Sequence, residues 1–321
     1  MPVKDEVFRA LRDAQGEFLS GQALSARLHV TRNAVWKAVD ALRREGARIE
    51  AVTNRGYRLL ADPGRFTAQD IARFARHPLL PELFDKLPST NTELKNRACL
   101  GAPEFTVLAA IEQSAGRGRS GRQFYSPPGC GVYFSILLRP KLALSQLSSV
   151  TPAAAVAAAQ ALEALSGEEA QIKWVNDVYF RRRKAVGILT EIGTDLESGA
   201  LDYLVCGFGV NLYPPPEGYP AALSGIAGSV FPEKPAHDLR AQAIAAILDA
   251  FLDALELPKA RLLSLYREKS LLAGKTVTVL RGAHSVKAQV SGIGDDFSLH
   301  ILREDGIEEH LRAGEVHLKL E

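Results

Sequence analysis

Val107-Leu108-Ala109-Ala110-Ile111-Glu112-Gln113-Ser114-Ala115-Gly116-Arg117-Gly118-Arg119-Ser120-Gly121-Arg122 joins an unbroken apolar run to a loop of alternating glycine and arginine. The apolar run reads as a buried strand. Glycines at 116, 118 and 121 let the backbone approach a ligand closely and take positive φ. Arg117, Arg119 and Arg122 supply fixed charge and forked donors suited to phosphate and carboxylate. Ordering so flexible a cationic loop costs conformational entropy that an anionic ligand would offset. On composition alone, a solvated basic loop or an Arg-Gly nucleic-acid segment is an equally good reading. The position directly after a buried strand, inside a folded region, favours an anion-binding loop over a disordered tail.

Around this loop, residues 66–272 mix strands and helices. Val132, Phe134, Ile136 and Leu138 alternate with Tyr133, Ser135 and Arg139, which predicts a half-buried strand. Thr151-Pro152 predicts an N-cap followed by proline at the first helical position, and the Ala-rich helix it opens stops at Ser166-Gly167. Ile172–Val175, Lys184–Ile192 and Tyr203–Asn211 read as strands, with Arg181-Arg182-Arg183 as a hairpin turn between two of them. Helices near Leu239–Leu255 and Lys259–Leu272 complete a mixed α/β domain with a largely antiparallel sheet. From residue 273 to 321, five short strands separated by turns such as Glu304-Asp305-Gly306 predict a small SH3-like β-barrel.

Residues 1–62 form the third region. Helices are expected over Lys4–Ala14, from Ser20 or Gly21 to His29, and from Arg32 to Glu45 behind a Thr31 N-cap, with a turn at Gln15-Gly16-Glu17 and Gly46 after the third. Two β-like stretches, Ala47–Val52 and Gly56–Leu60, follow, and Ala61-Asp62-Pro63-Gly64 reads as a linker. That order is a winged helix-turn-helix. Arg32, Asn33, Trp36 and Lys37 then lie on the early part of the recognition helix, and Arg55 in the wing. The first 60 residues hold eleven Lys/Arg against seven Asp/Glu, so their net charge of +4 leaves −2 on the rest of a chain of net +2. This mild asymmetry fits a small nucleic-acid-binding module on a near-neutral body. The fold class expected is therefore α+β in three domains.

Of the 321 residues, 46% are hydrophobic and 24% charged, an ordinary globular balance. No apolar run approaches membrane-spanning length, and the N-terminus lacks a signal-peptide pattern. Cys99, Cys130 and Cys206 have no metal-ligand spacing. A cytoplasmic protein is expected.

Five segments, in this order and spacing, carry a resemblance over nearly the whole length: Ser89-Thr90-Asn91, Gln113 through Arg122, Lys173-Trp174-Val175-Asn176-Asp177, Lys184-Ala185-Val186-Gly187-Ile188-Leu189, and Gly207-Phe208-Gly209-Val210-Asn211. Through them the chain resembles the bifunctional biotin–protein ligases that also act as biotin-operon repressors. The resemblance implies ATP and biotin as substrates, with Mg²⁺. It implies biotinyl-5′-AMP as intermediate and a lysine of biotin carboxyl carrier protein as acceptor. It further implies operator DNA as a second partner and a ligand-induced homodimer.

By the same resemblance, Ser89, Thr90, Asn91, Gln113, Arg117, Gly118, Arg119 and Lys184 bind biotin. Arg119, Arg122, Phe124, Lys173, Asn176, Asp177 and Asn211 bind the nucleotide, and Asp177 is the candidate contact for Mg²⁺. Lys184 and Arg119 are the expected catalytic groups. Fixed cations stabilise negative charge that builds when a carboxylate attacks phosphorus, and no protein nucleophile is needed. Simpler readings stand beside these. Ser-Thr-Asn is a good helix N-cap, Asn176-Asp177 an Asx-turn, and Lys184 part of a basic hairpin. Two departures are visible: Phe124 stands where some relatives carry Trp, and Val175 where Pro is common. A lipoate–protein ligase, or a biotin-sensing repressor without ligase activity, are the alternatives.

Overall fold

A computed structural model describes residues 3–14, 16–44, 47–61, 66–140, 144–194, 200–235, 238–281, 284–312 and 315–317. The expected linker at 62–64, the turn residue Gln15 and the helix end at 45–46 lie outside them. The chain divides into two compact units, residues 1–66 with 235–238, and residues 67–234 with 239–321.

The first unit consists of α1 (Val3–Asp13), α2 (Gly21–Leu28) and α3 (Arg32–Arg44), followed by β1 (Arg48–Val52) and β2 (Gly56–Ala61). Ser20 accepts the Ala23 amide at the start of α2, and Thr31 accepts that of Ala34 at the start of α3. Val7, Phe8 and Leu11 of α1 meet Leu24 of α2 and Val35, Val39 and Leu42 of α3 in one buried cluster. β1 and β2 pair antiparallel, and Leu19 adds a bridge to Tyr57. This is a helix-turn-helix with a wing.

The second unit is built in chain order from α4 (Ala68–Phe74), β3 (Leu80–Leu87), α5 (Thr90–Cys99), β4 (Thr106–Gln113), β5 (Gly131–Leu138), α6 (Val150–Ser166), β6 (Ala170–Lys173), β7 (Asp177–Phe180), β8 (Arg183–Thr194), β9 (Leu201–Asn211), α7 (Arg240–Leu255) and α8 (Lys259–Glu268). Strands β3 to β9 form one sheet in the order β3-β4-β5-β9-β8-β7-β6. Only β3 and β4 run parallel; the other neighbours are antiparallel. The β7–β8 turn is made by Arg181 and Arg182, both at positive φ.

Two expectations need correction. β5 is buried along its whole length, not on one face. Phe134 stacks on Phe208, which meets Phe251 of α7 edge-on, so that face lies under α7. The opposite face is covered by α5, where Leu137 joins Leu94 and Ala98. Its polar members are buried because they are bonded: Tyr133 Oη donates to the Pro127 carbonyl, and Ser135 Oγ lies 2.6 Å from Asn91 Oδ1. The second correction concerns α6. It begins at Val150, with Ser149 preceding it and making no side-chain cap. Thr151 is already helical, and its hydroxyl lies 3.0 Å from Thr190 Oγ1 instead of capping. The far end is as expected, with Gly167 at φ 72° receiving the chain in the left-handed region.

The C-terminal segment forms β10 (Thr276–Arg281), β11 (His284–Ile293), β12 (Leu299–Arg303), β13 (Glu308–Leu311) and β14 (Glu315–His317). They make a five-stranded antiparallel sheet in the order β13-β12-β11-β10-β14. The last expected strand residues, 318–320, lie outside the described residues. Trp174, at the end of β6, donates its indole N–H to the Phe297 carbonyl at 2.9 Å, and Arg267 of α8 donates to the Ile293 carbonyl. Both bonds tie this sheet to the region around β6. Among the described residues no helix is long and apolar enough to cross a membrane.

Trp174 is 5% exposed. Trp174→Phe keeps the ring but removes the donor to a buried carbonyl, and is expected to cost about 2 kcal/mol in urea unfolding.

Candidate active site

Three segments converge on the α5 face of the sheet. The first is the turn into α5. Ser89 accepts the Thr92 amide and so caps the helix, and it also lines a cavity. Thr90 donates its backbone N–H to Gln113 Oε1 at 2.9 Å, while Gln113 Nε2 donates to Ser126 Oγ at 3.1 Å. Asn91 gives its amide hydrogens to the Leu189 carbonyl (3.1 Å) and Glu191 Oε2 (3.0 Å).

The second is the Gly-Arg loop, which is folded on itself. Gly118 N–H donates to the Arg122 carbonyl at 2.7 Å and Phe124 N–H to the Gly116 carbonyl at 2.9 Å. Positive φ falls on Ser120 and Gly121. At Gly116 and Gly118 it is not required. A Cβ on Gly116 would stand 2.5 Å from the Phe124 carbonyl, so close packing explains that glycine. Arg119 donates to Asn176 Oδ1 at 3.0 Å, and Arg117 to Glu191 Oε1 at 3.1 Å.

The third is the β6–β8 meander. Lys184 Nζ lies 2.7 Å from Asp177 Oδ1. Asn176 is held across the strands, donating to and accepting from the backbone of Ile188. The Trp174–Val175 peptide bond between these segments is cis.

The floor comes from β9. A Cβ on Gly207 would stand 1.9 Å from Asn91 Oδ1, and one on Gly209 would stand 2.6 Å from the Phe124 ring. Both glycines are there because side chains from other segments lie flat on the strand.

Thirteen of the sequence-predicted residues thereby line one cavity: Ser89, Thr90, Asn91, Gln113, Arg117, Gly118, Arg119, Arg122, Phe124, Lys173, Asn176, Asp177 and Lys184. Five of these are cations and one, Asp177, is a carboxylate. Asn211 is not brought in. It ends β9, is buried, and its carbonyl accepts the Val230 amide. Glu191 and Lys95, which pair at 2.6 Å, were missed by sequence reasoning, as were Ser126 and Ser135. Burial pushes the Glu191 carboxyl up, but hydrogen bonds from Lys95 and Asn91 and the charges of Lys95 and Arg117 outweigh it. The net position is below the usual carboxylate range. A usable signal existed: Asn91 and Lys95 are four apart on one helix face and both require an acceptor.

In the first unit, Arg32, Asn33, Trp36 and Lys37 are exposed on α3, opposite its buried Val35, Val39 and Leu42. Trp36 is 55% exposed, an unusual position for a large indole without a partner surface. Arg55 lies in the wing with its guanidinium 4.3 Å from the Phe18 ring centroid.

Gly207→Ala forces Asn91 off the strand. It is expected to destabilise the protein by about 1–3 kcal/mol, read as a lowered urea midpoint.

Residues 83–211 match the biotin/lipoate A/B protein ligase family, and residues 4–58 match an HTH domain. The bifunctional ligase/repressor BirA of Bacillus subtilis (strain 168) is 36% identical over 235 residues, covering 71% of this chain and 70% of that protein. BirA of Escherichia coli (strain K12) is 30% identical over 206 residues, covering 62% and 61%. Among solved structures, biotin protein ligase from Aquifex aeolicus in complex with biotin and ATP superposes with a TM-score of 0.62 at 25% identity, covering 75% of this chain and 99% of that one. With the cavity described above and the helix-turn-helix ahead of it, the chain belongs to the biotin/lipoate A/B protein ligase family, as one of its bifunctional ligase/repressors.

Proposed function

We propose that the chain activates biotin with ATP, forming biotinyl-5′-AMP and pyrophosphate, and transfers the biotinyl group to a lysine of biotin carboxyl carrier protein. The observation that carries this reading is the charge distribution of the cavity. Five cations face one carboxylate, next to a turn of neutral donors and acceptors at Ser89, Thr90 and Gln113. A ligand that fits has a polar uncharged head, an anionic tail and a polyanionic partner. The neutral turn takes the ureido ring of biotin. Arg119 and Lys184 take the carboxylate and the α-phosphate.

In the first half-reaction a biotin carboxylate oxygen bonds to the α-phosphorus and the bond to pyrophosphate breaks. Both reactants are anions, so their approach is opposed by charge. Lys184, fixed by Asp177, and Arg119, fixed by Asn176, offset that repulsion without reorganising. Phe124, lying on Gly187 and Gly209, offers an aromatic face to the adenine. In the second half-reaction a neutral carrier lysine attacks the carbonyl carbon and AMP leaves.

Mg²⁺ fits as a companion of ATP. Among the described residues there is no group of three or more metal-ligating side chains, and Asp177, the cavity's carboxylate, is the side chain that would touch it. When bound, the ion neutralises phosphate charge. The exposed face of α3 and the wing support operator binding. Dimerisation on forming the adenylate would place two such faces on a palindromic site, in a protein we assign to the cytoplasm.

Biotin-dependent pyrophosphate–ATP exchange tests the chemistry. Lys184→Ala and Arg119→Ala are each expected to lower its rate by about 10²–10³-fold. Exchange supported by lipoate and not biotin would make the chain a lipoate ligase. For the second activity, a mobility shift with DNA upstream of biotin-related genes is expected to weaken steeply with salt. It should be largely lost in Arg32→Ala, with the exchange rate unchanged.

A further inference from the structure

Arg117 and Arg119 lie two residues apart on one loop, yet their anchors differ in kind. Arg119 is bonded to a neutral amide, Asn176. Arg117 is bonded to an ionised carboxylate, Glu191, whose side chain is 17% exposed and whose other oxygen accepts Asn91. Lys95 of α5, 2.6 Å from the same carboxylate, is a second cation on it. Glu191 therefore joins three segments that meet nowhere else in sequence: the α5 turn through Asn91 and Lys95, the Gly-Arg loop through Arg117, and its own strand β8.

Asn91 has little freedom besides. Its oxygen is held by Ser135, and Gly207 lies directly beneath it. Asn91 thus gives one amide hydrogen to Glu191 and one to the Leu189 carbonyl, and Arg117 gives its guanidinium to Glu191, so the two residues are walls of the cavity that Glu191 helps to place.

We propose that Glu191 is a positioning residue for the biotin end of the site: by fixing the Asn91 amide and pinning Arg117 it holds the first turn of the Gly-Arg loop against the Ser89–Asn91 turn. It acts through these residues and does not touch the reacting atoms. The phosphate end is independent of it, since Arg119 is held by Asn176 and Lys184 by Asp177. Loss of Glu191 consequently loosens biotin and leaves ATP binding and the chemical step in place. A merely structural carboxylate would disturb all three alike.

The role rests on the ligase reading above. It is tested on the full chain by pyrophosphate–ATP exchange, with kcat and the KM values for biotin and ATP measured separately. The proteins are wild type, Glu191→Gln, Arg117→Gln and the double variant. Glu191→Gln is expected to raise the biotin KM about tenfold with kcat and the ATP KM within about twofold. The double variant is expected to be no worse than the worse single, because both act through one contact. Losses that multiply in the double variant, an unchanged biotin KM, or an equal rise in the ATP KM would overturn the proposal. If Glu191→Gln does not fold, Arg117→Gln decides alone, since Arg117 is half exposed: an unchanged biotin KM refutes the role and a tenfold rise supports it. Wild-type protein lacking any biotin-dependent exchange refutes the ligase reading instead, and the positioning role falls with it.

Discussion

Like charges crowded into one cavity repel, and every feature of this site answers that constraint. Arg117, Arg119, Arg122, Lys173 and Lys184 line the same space. At cavity distances, unit charges repel by several kcal/mol unless something of opposite sign stands close. Arg117 stands on the carboxylate of Glu191 and Lys184 on that of Asp177, while Arg119 donates to the neutral amide of Asn176. Each anchor stands on or beside a strand of one sheet, which gives it a rigid support. A cationic cavity built in this way is complementary to a polyanion.

The fold supplies that rigidity by burying both faces of the sheet. α7 covers one face through Phe251 on Phe208, and α5 covers the other through Leu94 and Ala98. The first turn of α5 lies over β9 where side chains give way to glycine. Gly207 and Gly209 remove the Cβ atoms that would hold Asn91 and Phe124 away from the backbone. The cavity is therefore a place where one layer of packing is replaced by polar side chains lying directly on a strand.

Much of this was legible in the sequence, and the failures share a cause. The three helices and wing were readable because capping residues and apolar spacing agreed, as at Ser20 and Thr31. The cavity residues were readable because five short motifs occurred together in order. What was not readable was polar burial. Ser135 alternates with apolar neighbours and so resembles a solvent-facing residue, yet it is fully buried on Asn91. Glu191 sits in the same kind of alternation on β8, with its partners about a hundred residues earlier on α5. Periodicity reports which face a residue occupies and says nothing of what covers that face. Asn211 ends the same motif on β9 but is not among the residues lining this cavity. Strand β3 and helix α4 are not signalled by periodicity because Leu80–Leu87, at a sheet edge, has no regular apolar–polar alternation and α4 is only seven residues long.

The energetics of the Gly-Arg loop follow from how it folds. Read from composition, three glycines and three arginines describe a flexible segment whose ordering a ligand must offset. In the structure two backbone hydrogen bonds, Gly118 to Arg122 and Phe124 to Gly116, close it on itself. Two further side-chain bonds carry it to β8 and to the β6–β7 turn. Fixing a loop residue costs roughly 1–2 kcal/mol of backbone entropy, which these bonds help to offset in the closed form. The glycines serve this closed form by permitting close packing at 116 and a left-handed turn at 121. They are there to let the loop fold tightly, and the arginines are what the tight fold presents.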